Sequence, residues 1–281
     1  MLKGYTMELQ TNCQNRRFMR TSYDFVFVVL AYRNTQDLRD FFQANHIERS
    51  KIVVVNSFYD EASEQEFRSI ATDNGADFIS VPNKGYGAGN NAGVTYAIEH
   101  YEFNYLVISN ADIKIERMEM DVLGKYNPGI IAPTILTLHG RNQNPSCPFK
   151  PAALYEKFRY AMFKGGHTKL IWVAYAYSRL TKIVYQLVSR WKYTIFSAHG
   201  AFVILHSDVV RRLHPLYNER MFLFNEEEHL GRLAEKHGVK TWYEPNIIIR
   251  HKEDGSMKLA SVNEFERARD SFLEYYKFWG L

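Results

Sequence analysis

Four short runs of apolar residues divide the first half of the chain, and each is long enough for one β-strand. They occupy residues 25–30, 52–55, 78–81 and 105–109. Because these runs are continuous rather than alternating, they predict strands covered on both faces, as in parallel sheets. Helical stretches over residues 38–44, 62–74 and 91–101 separate them. This alternation predicts an α/β fold with a doubly wound, mostly parallel sheet over residues 24–135.

The second half of the chain has a different pattern. An Asn- and Pro-rich stretch over residues 142–151 predicts a loop. Helical sequence follows over residues 152–192, interrupted at Gly165 and Gly166. Further elements are predicted at 201–205 (strand), 225–237 (helix), 247–249 (strand) and in an aromatic C-terminal helix ending near residue 279. We therefore divide the chain into a polar lead-in (1–22), an α/β part (23–135) and a C-terminal part (136–281) continuous with the same domain.

Composition narrows the class of protein without identifying it. The chain has 281 residues, a net charge of +4 and 15% aromatic residues. This charge is too small to indicate a nucleic-acid partner. Cys13 and Cys147 lie far apart and match no metal-binding spacing, which fits a reducing compartment. The first twenty residues lack the apolar core of a secretory signal, and no apolar run reaches the roughly 18 residues needed to span a bilayer. We expect a cytoplasmic protein.

A glycine-rich loop over residues 83–93 lies between a predicted strand and a predicted helix. Its candidate binding residues are Asn83, Gly85, Tyr86, Gly89 and Asn91. Glycines allow the backbone to approach a ligand closely, and free N–H groups at a helix start favour anions. The same glycines also fit a tight turn with close helix packing. Residues 87–92 satisfy a relaxed dinucleotide fingerprint, which keeps an NAD(P)-dependent oxidoreductase as an alternative, although two strand–helix units precede it.

The strand over residues 105–109 runs directly into Asn110 and Asp112. Ligands bind outside the carboxyl ends of parallel strands, so this position favours a functional carboxylate, although Asp112 could also cap a following helix. A carboxylate of this kind can hold Mg²⁺ or Mn²⁺ that bridges a diphosphate. His251 also follows a strand and, as a neutral imidazole, could ligate the same ion. A structural histidine is the competing interpretation.

Three consecutive carboxylates, Glu226, Glu227 and Glu228, follow Asn225 at the start of a predicted helix. Acidic residues in a first turn complement the helix dipole, and Asn225 is a good N-cap, so a structural role alone explains the cluster. One of the three carboxylates could instead act as a general base toward a hydroxyl group.

The segment from Lys157 to Ser207 contains eight Lys or Arg residues and no Asp or Glu. Aromatic residues are interleaved with these cations, which is typical of helices that lie in a membrane interface. Alternatively, the apolar side chains form core or a contact with a second subunit. Nucleic-acid binding is the least favoured interpretation because no known motif is present.

Taken in order, these pieces resemble the family 2 (GT-A) glycosyltransferases, particularly the rhamnosyltransferase-like branch of bacterial surface-polysaccharide synthesis. The resemblance covers roughly residues 24–280 and rests on eight segments. They are residues 31–34 ("T-Y-N"), 53–60 ("V-V-D-N-x-S-x-D"), 83–93 ("N-x-G-F-x-x-x-x-N-x-G"), 110–112 ("N-P-D"), 200–202 ("G-A-F"), 218–220 ("D-E-R"), 222–230 ("F-x-x-x-E-D-x-x-L") and 251–256 ("H-x-x-x-G-S").

The resemblance implies a GT-A fold, a Rossmann-like sheet with a C-terminal acceptor-side extension, and inverting, metal-dependent sugar transfer. It implies that Asp112 and His251 face the metal and diphosphate, with Glu227, or Glu226, as the base. The donor-binding residues implied are Tyr32, Asn34, Asn56, Ser57, Asn83, Gly85, Tyr86, Gly89, Asn91 and Asn110.

The partners implied by the resemblance are a UDP- or dTDP-sugar and a glycan or lipid-linked acceptor at the cytoplasmic membrane face. Two positions depart from the family pattern. Val55 stands where the family has an Asp that contacts the donor base, so Asn34, Asn56 or Ser57 would have to make this contact. The usual base is Asp, whereas this chain has Glu. A nucleotide-sugar-binding relative without activity is therefore a further alternative.

Overall fold

The computed structural model describes residues 21–188, 194–253 and 264–281. Almost all of the predicted polar lead-in lies outside the described residues, as do Arg190 and Lys192 of the basic segment. The described chain folds around one mixed, mostly parallel sheet with helices packed on both faces. The α/β class and the mostly parallel sheet predicted from the sequence are confirmed.

The sheet contains nine strands in the described part of the chain. They are β1 (Ser22–Ala31), β2 (Ser50–Phe58), β3 (Asp77–Pro82), β4 (Glu102–Asn110), β5 (Ile113–Arg117), β6 (Ile130–Thr137), β7 (Thr194–Ile195), β8 (Phe202–His206) and β9 (Thr241–His251). Their order across the sheet is β3-β2-β1-β4-β8-β6-β9-β5, and β7 pairs with β9.

The helices fall between these strands and after them. They are α1 (Thr35–Ala44), α2 (Glu61–Asp73), α3 (Tyr86–His100), α4 (Met120–Leu123), α5 (Ala153–Lys164), α6 (Ile171–Val188), α7 (Ser207–Leu213), α8 (Glu226–Lys236) and α9 (Glu264–Trp279). Short 3-10 turns follow α4 (Gly124–Tyr126) and precede α6 (Thr168–Leu170).

The N-terminal half forms the parallel part of the sheet. Strand β1 pairs in parallel with β2 and β4, and β2 pairs in parallel with β3. Helices α1 and α2 cover one face with Phe41 and Phe67, while α3 covers the other with Val94. Both faces of β1 are therefore dry, which explains why its sequence is apolar at every position from Phe25 to Val29.

The C-terminal half completes this sheet rather than forming a separate layer. Strand β8 lies antiparallel between β4 and β6, and β9 lies between β6 and β5. The segment 24–135 is therefore not one continuous parallel sheet, because its last strand, β6, reaches β4 only through β8. Strand adjacency depends on pairing between distant segments, which the local pattern of residues does not encode.

The glycine-rich segment differs from its prediction, because α3 begins at Tyr86 and not near residue 91. Three of its glycines lie inside the helix and pack it against neighbouring segments. A Cβ added to Gly93 would lie 2.4 Å from Val28 Cγ1, and one added to Gly89 would lie 2.6 Å from Leu30 Cδ1. These glycines let the helix axis approach β1 more closely than any other residue would allow.

Helices α5 and α9 pack together through a separate apolar cluster that includes Met162, Phe163 and Phe272. A buried ion pair between Arg232 and Glu156, at 2.9 Å, joins α8 to α5 beneath this cluster. Helix α6 is different, because most of its side chains are exposed. None of the helices in the described ranges is both long and apolar enough to cross a bilayer.

Gly93→Ala should lower the free energy of unfolding by about 1 kcal/mol or more, because overpacking against Val28 outweighs the better helix propensity of Ala. Urea titration measures this difference. The matched control is Gly124→Ala, since Gly124 has helical dihedral angles and open space around its Cα. This control should be neutral or slightly stabilising. Equal stability of the two variants would contradict the close approach of α3.

Candidate active site at the carboxyl edge of the sheet

The candidate residues meet at one edge of the sheet. Strands β1, β2, β4, β6 and β9 run in the same direction, so their carboxyl ends share this edge. Strands β5 and β8 run the opposite way, so their first residues lie there too. The backbone N–H of Asn110, which ends β4, donates to the carbonyl oxygen of Ala201, just before β8. Residues far apart in sequence are therefore brought to one rim.

Asp112 and His251 are in direct contact at this edge. Strand β9 ends at His251, which is in register with Ile113, so the turn between β4 and β5 presents Asp112 to the imidazole. The distance from His251 Nε2 to Asp112 Oδ2 is 3.3 Å, and the two side chains are 9% and 6% exposed. Gln143 Oε1 lies 2.7 Å from His251 Nδ1, and the N–H of Lys252 donates to the carbonyl oxygen of Asp112. The pair is thus fixed from both sides.

The Asp112–His251 pair fits two ligand positions of a divalent cation. Ligands at about 2.1 Å in neighbouring octahedral positions lie about 3 Å apart, close to the observed separation. No group of three or more His, Cys, Asp or Glu side chains suited to a metal occurs among the residues that the structure describes. The pair could therefore hold Mg²⁺ or Mn²⁺ only with oxygens from substrate and water, which is how Mg²⁺ usually binds.

A second carboxylate, Asp37 in the first turn of α1, lies behind this pair and was missed in the sequence. Burial, followed by the charge of Asp112, raises the pKa of Asp37. Asn34 Nδ2 donates to it at 2.6 Å, and Lys252 Nζ lies 3.4 Å from both Asp37 and Asp40. In sequence, Asp37 is indistinguishable from an ordinary first-turn acid, since Asn34 is the N-cap of α1. Only the fold brings it close to Asp112.

The structure separates the three glutamates at the start of α8. Arg159 Nη1 donates to both carboxylate oxygens of Glu228 at 2.8 Å, so this charge is already neutralised. Arg159 also binds the side chain of Asn225, which stands at the N-cap position without capping the helix. Phe224 and Asn225 both have left-handed backbone angles, with φ of 77° and 66°. This sharp turn sends consecutive carboxylates in different directions.

Glu227 is the glutamate that faces the rim. Its Oε1 accepts a hydrogen bond from the N–H of Gly200 at 3.3 Å, and Tyr86 donates to the Gly200 carbonyl oxygen at 2.7 Å. Burial raises the pKa of Glu227. Glu226 is only 3% exposed, and burial, together with the charge of Glu227, raises its pKa to about 8. At neutral pH, Glu226 is therefore mainly protonated, whereas Glu227 is the better proton acceptor.

His199 is a further residue at this rim that the sequence analysis did not select. Its ring lies 6.0 Å from that of His251, and its Nδ1 accepts from the N–H of Ala201 at 3.2 Å. Burial, reinforced by the positive charges of His251 and Lys182, lowers the pKa of His199 to about 3. The ring is therefore neutral at neutral pH. Its position directly before the Gly-Ala-Phe segment is the one signal that could have identified it.

Most of the candidates in residues 83–93 are engaged by the protein itself. The N–H of Tyr86 donates to the Phe222 carbonyl oxygen, and a Cβ on Gly85 would lie 2.2 Å from that oxygen. The Asn91 amide bonds to the backbone of Leu216 and Tyr217 and to Glu219. The glycines of the dinucleotide-like pattern pack α3 on the sheet, which removes the main support for an oxidoreductase.

Of the remaining candidates, Asn83 Oδ1 accepts from the N–H of Gly85 at 3.3 Å, and Gly89 is covered by Leu30. Asn110 is half-buried at the end of β4. Its side chain is thus near the rim that holds Asp112.

The ends of β1 and β2 carry aromatic side chains. Tyr32 and Tyr59 form an edge-to-face pair with centroids 5.9 Å apart, and the Arg33 guanidinium lies 3.8 Å from the Tyr59 ring centroid. By contrast, Asn56 is fully buried and donates to Ser80, while Ser57 is also buried. The accessible group at this corner is therefore Tyr59, which the sequence analysis did not select.

Comparison with known structures identifies the fold. The mixed sheet and its flanking helices are those of GT-A glycosyltransferase structures. GalNAc-T7, crystallised with UDP, GalNAc and Mn²⁺, matches with a TM-score of 0.52 and 11% identity over 84% of this chain and 44% of that one. TarS of S. aureus matches with a TM-score of 0.52 and 11% identity over 90% of this chain and 43% of that one.

TarS residues 1–349, in complex with UDP-GlcNAc, give a TM-score of 0.51 and 12% identity, over 85% of this chain and 62% of that one. The chain thus spans less than half the length of GalNAc-T7 and of the longer TarS chain. At these identities the likeness establishes the fold alone. No model of a protein family matches the sequence, and no curated protein sequence matches it.

Glu226→Gln should remove a pH dependence of stability. Between its ordinary pKa of 4.5 and about 8, folded Glu226 keeps a proton that the unfolded chain releases, so the free energy of unfolding falls as pH rises. Gln cannot ionise. The variant should match the parent near pH 5 and exceed it by about 2–4 kcal/mol above pH 8 in urea titrations.

The control for this measurement is Glu235→Gln, an exposed carboxylate on the same helix, which should give no such difference. A gap between Glu226→Gln and the parent that is equal at both pH values would contradict a protonated Glu226.

Proposed function

We propose that this protein is an inverting glycosyltransferase that moves a sugar from a nucleoside diphosphate to a hydroxyl group. The observation that carries the proposal is the convergence of the Asp112–His251 pair and Glu227 on one edge of a GT-A sheet. A cation site and a carboxylate base are the two groups that such a transfer requires: one for the leaving diphosphate, the other for the attacking hydroxyl.

The donor is proposed to bind with its diphosphate next to Asp112 and His251, which would hold Mg²⁺ or Mn²⁺. A bound cation supplies charge neutralisation of the departing diphosphate. The crystals of GalNAc-T7 with UDP and Mn²⁺, and of TarS with UDP-GlcNAc, support a UDP-sugar or the related dTDP-sugar. A rhamnosyl donor is the finer expectation from the sequence.

In the proposed reaction, Glu227 takes the proton of the acceptor hydroxyl. The hydroxyl oxygen then forms its bond to the anomeric carbon while the bond from that carbon to the diphosphate oxygen breaks, which inverts the configuration. The raised pKa of Glu227 makes it a stronger base than an exposed carboxylate. Glu226, protonated and buried beside it, holds the site without adding a second negative charge.

The roles of the remaining residues follow from their positions. Tyr32 and Asn34 lie at the end of β1 and would border the nucleoside, together with Tyr59. Asn83, Gly85 and Tyr86 would border the sugar, and Asn110 the diphosphate. Asn56, Ser57, Gly89 and Asn91 would shape the site from behind, since all four are buried. We propose a glycan or lipid-linked glycan as acceptor and the cytoplasmic side of a membrane as the place of action.

Asp112→Asn should abolish the effect of Mn²⁺ on nucleotide affinity, because the amide cannot neutralise the cation. Calorimetric titration with UDP-sugars, dTDP-rhamnose and GDP-mannose, with and without Mn²⁺, measures this effect. In the parent protein, Mn²⁺ should strengthen binding of the cognate donor by about ten-fold or more. Asp121→Asn, at an exposed position, should behave like the parent. Donor affinity that is indifferent to Mn²⁺ in the parent would refute the metal role, and tight binding of NAD alone would favour the oxidoreductase.

Glu227→Gln should lower kcat by about 10²–10⁴-fold while leaving donor affinity unchanged, because only the proton acceptor is lost. Release of nucleoside diphosphate from the cognate donor, with glycan acceptors present, measures turnover. In the parent, kcat/KM should fall as the pH drops through the raised pKa of Glu227. Glu226→Gln should keep most of its activity, since Gln mimics the protonated acid. Undiminished turnover in Glu227→Gln would assign the base elsewhere, and donor binding without turnover in the parent would indicate an inactive relative.

A further inference from the structure

Helix α6 is covered by the rest of the protein along one narrow side only. Within its 18 residues, Tyr185 is the single fully buried side chain. Ala174, Tyr177 and Thr181 are half-buried on the same side as Tyr185. Lys182 borders this inner side, and burial lowers its pKa while the charge of Glu227 opposes that shift. The inner side of α6 therefore faces the candidate active site.

The outer side of α6 is apolar, the reverse of an ordinary surface helix. Trp172, Leu180, Ile183 and Leu187 recur at spacings of eight, three and four residues, which places them on one side of a helix. They are 74%, 59%, 47% and 75% exposed, respectively. Contiguous exposed apolar patches of this kind mark interaction surfaces, since isolated domains rarely leave them in water. We call these four residues the outer stripe of α6.

The charges around the outer stripe have a single sign. Lys157 and Lys164 on α5, Lys169 before α6 and Arg179 within it are all exposed. No Asp or Glu occurs between Lys157 and Ser207. A partner for this surface must therefore be apolar in its interior and negatively charged at its border. An anionic phospholipid bilayer has both properties, with headgroups that attract Lys and Arg and acyl chains that accept Trp and Leu.

We propose that the outer stripe of α6 docks on a membrane that contains anionic phospholipids. The helix lies in the plane of the headgroups, with Trp172 and Leu187 in the acyl boundary and the flanking lysines among the phosphates. The docking itself needs neither a donor nor a metal, so it stands or falls separately from the proposed transfer.

A cavity of about 210 Å³ connects this surface to the acidic cluster. Ile171 and Tyr175, both exposed on α6, line it at one end, and Arg159 and Glu228 line it at the other. A docked membrane would thus lie at the mouth of a passage toward the glutamates of α8. This consequence rests on the proposed function: it would give an acceptor anchored in the bilayer a route to the site.

The experiment is co-sedimentation with vesicles of phosphatidylcholine alone and of phosphatidylcholine mixed with phosphatidylglycerol. The parent protein should bind the mixed vesicles, and the fluorescence of Trp172 should shift to shorter wavelength. The double variant Trp172→Ser/Leu187→Ser should bind about ten-fold more weakly or less, because it removes apolar area from the interface. Its thermal unfolding should match that of the parent, since both side chains are exposed. Leu138→Ser, an exposed apolar position outside α6, is the matched control and should bind like the parent.

A charge arm tests the lipid specificity. The variant Lys164→Gln/Lys169→Gln/Arg179→Gln should lose affinity for the mixed vesicles, and added salt should weaken binding of the parent. Three outcomes would overturn the proposal: absence of binding to mixed vesicles, equal binding by the Trp172→Ser/Leu187→Ser variant, or a dimer of the parent that this variant converts to a monomer. The last result would assign the outer stripe to a second copy of the chain. Donor binding in the calorimetric titration would be unaffected in each case.

Discussion

The contact between Asp112 and His251 depends on the longest-range pairing in the sheet. Strand β9 lies between β6 and β5, so its last residue is held in register with Thr137 on one side and Ile113 on the other. Both side chains are then withdrawn from bulk water, where their interaction is less screened. Any shift of β9 by one residue would turn His251 to the opposite face. The site therefore depends on the register of the sheet more than on any loop.

The acidic cluster uses local backbone strain and one buried arginine to give three identical side chains different states. Left-handed angles at Phe224 and Asn225 set the entry of α8, a conformation that costs free energy in residues other than glycine. Arg159 then neutralises Glu228, which leaves Glu227 at the rim. Burial differentiates the remaining pair by pKa. Pairs of acids with divided roles arise from their surroundings in this way, not from their residue type.

Several parts of this molecule were readable from sequence because their signals are local. The apolar runs of β1, β2 and β4 and the helices α1 and α2 appear close to their predicted bounds. The pattern failed at α3, where glycines that look like a loop serve close helix packing against Val28 and Leu30. It also could not find Asp37 and His199, which look like an ordinary first-turn acid and an isolated histidine until the fold brings them near Asp112 and His251.

The sequence by itself determined the α/β class, the strand-end position of Asp112 and His251, and the acid-free basic character of residues 157–207. Each of these follows from the order and spacing of neighbouring residues. Only the tertiary structure decided that β8 lies between β4 and β6, that Glu228 is bound by Arg159, and that α6 turns its apolar side outward. These features depend on which distant segments meet, and on the burial and charge that result, and periodicity along the chain carries no information about such meetings.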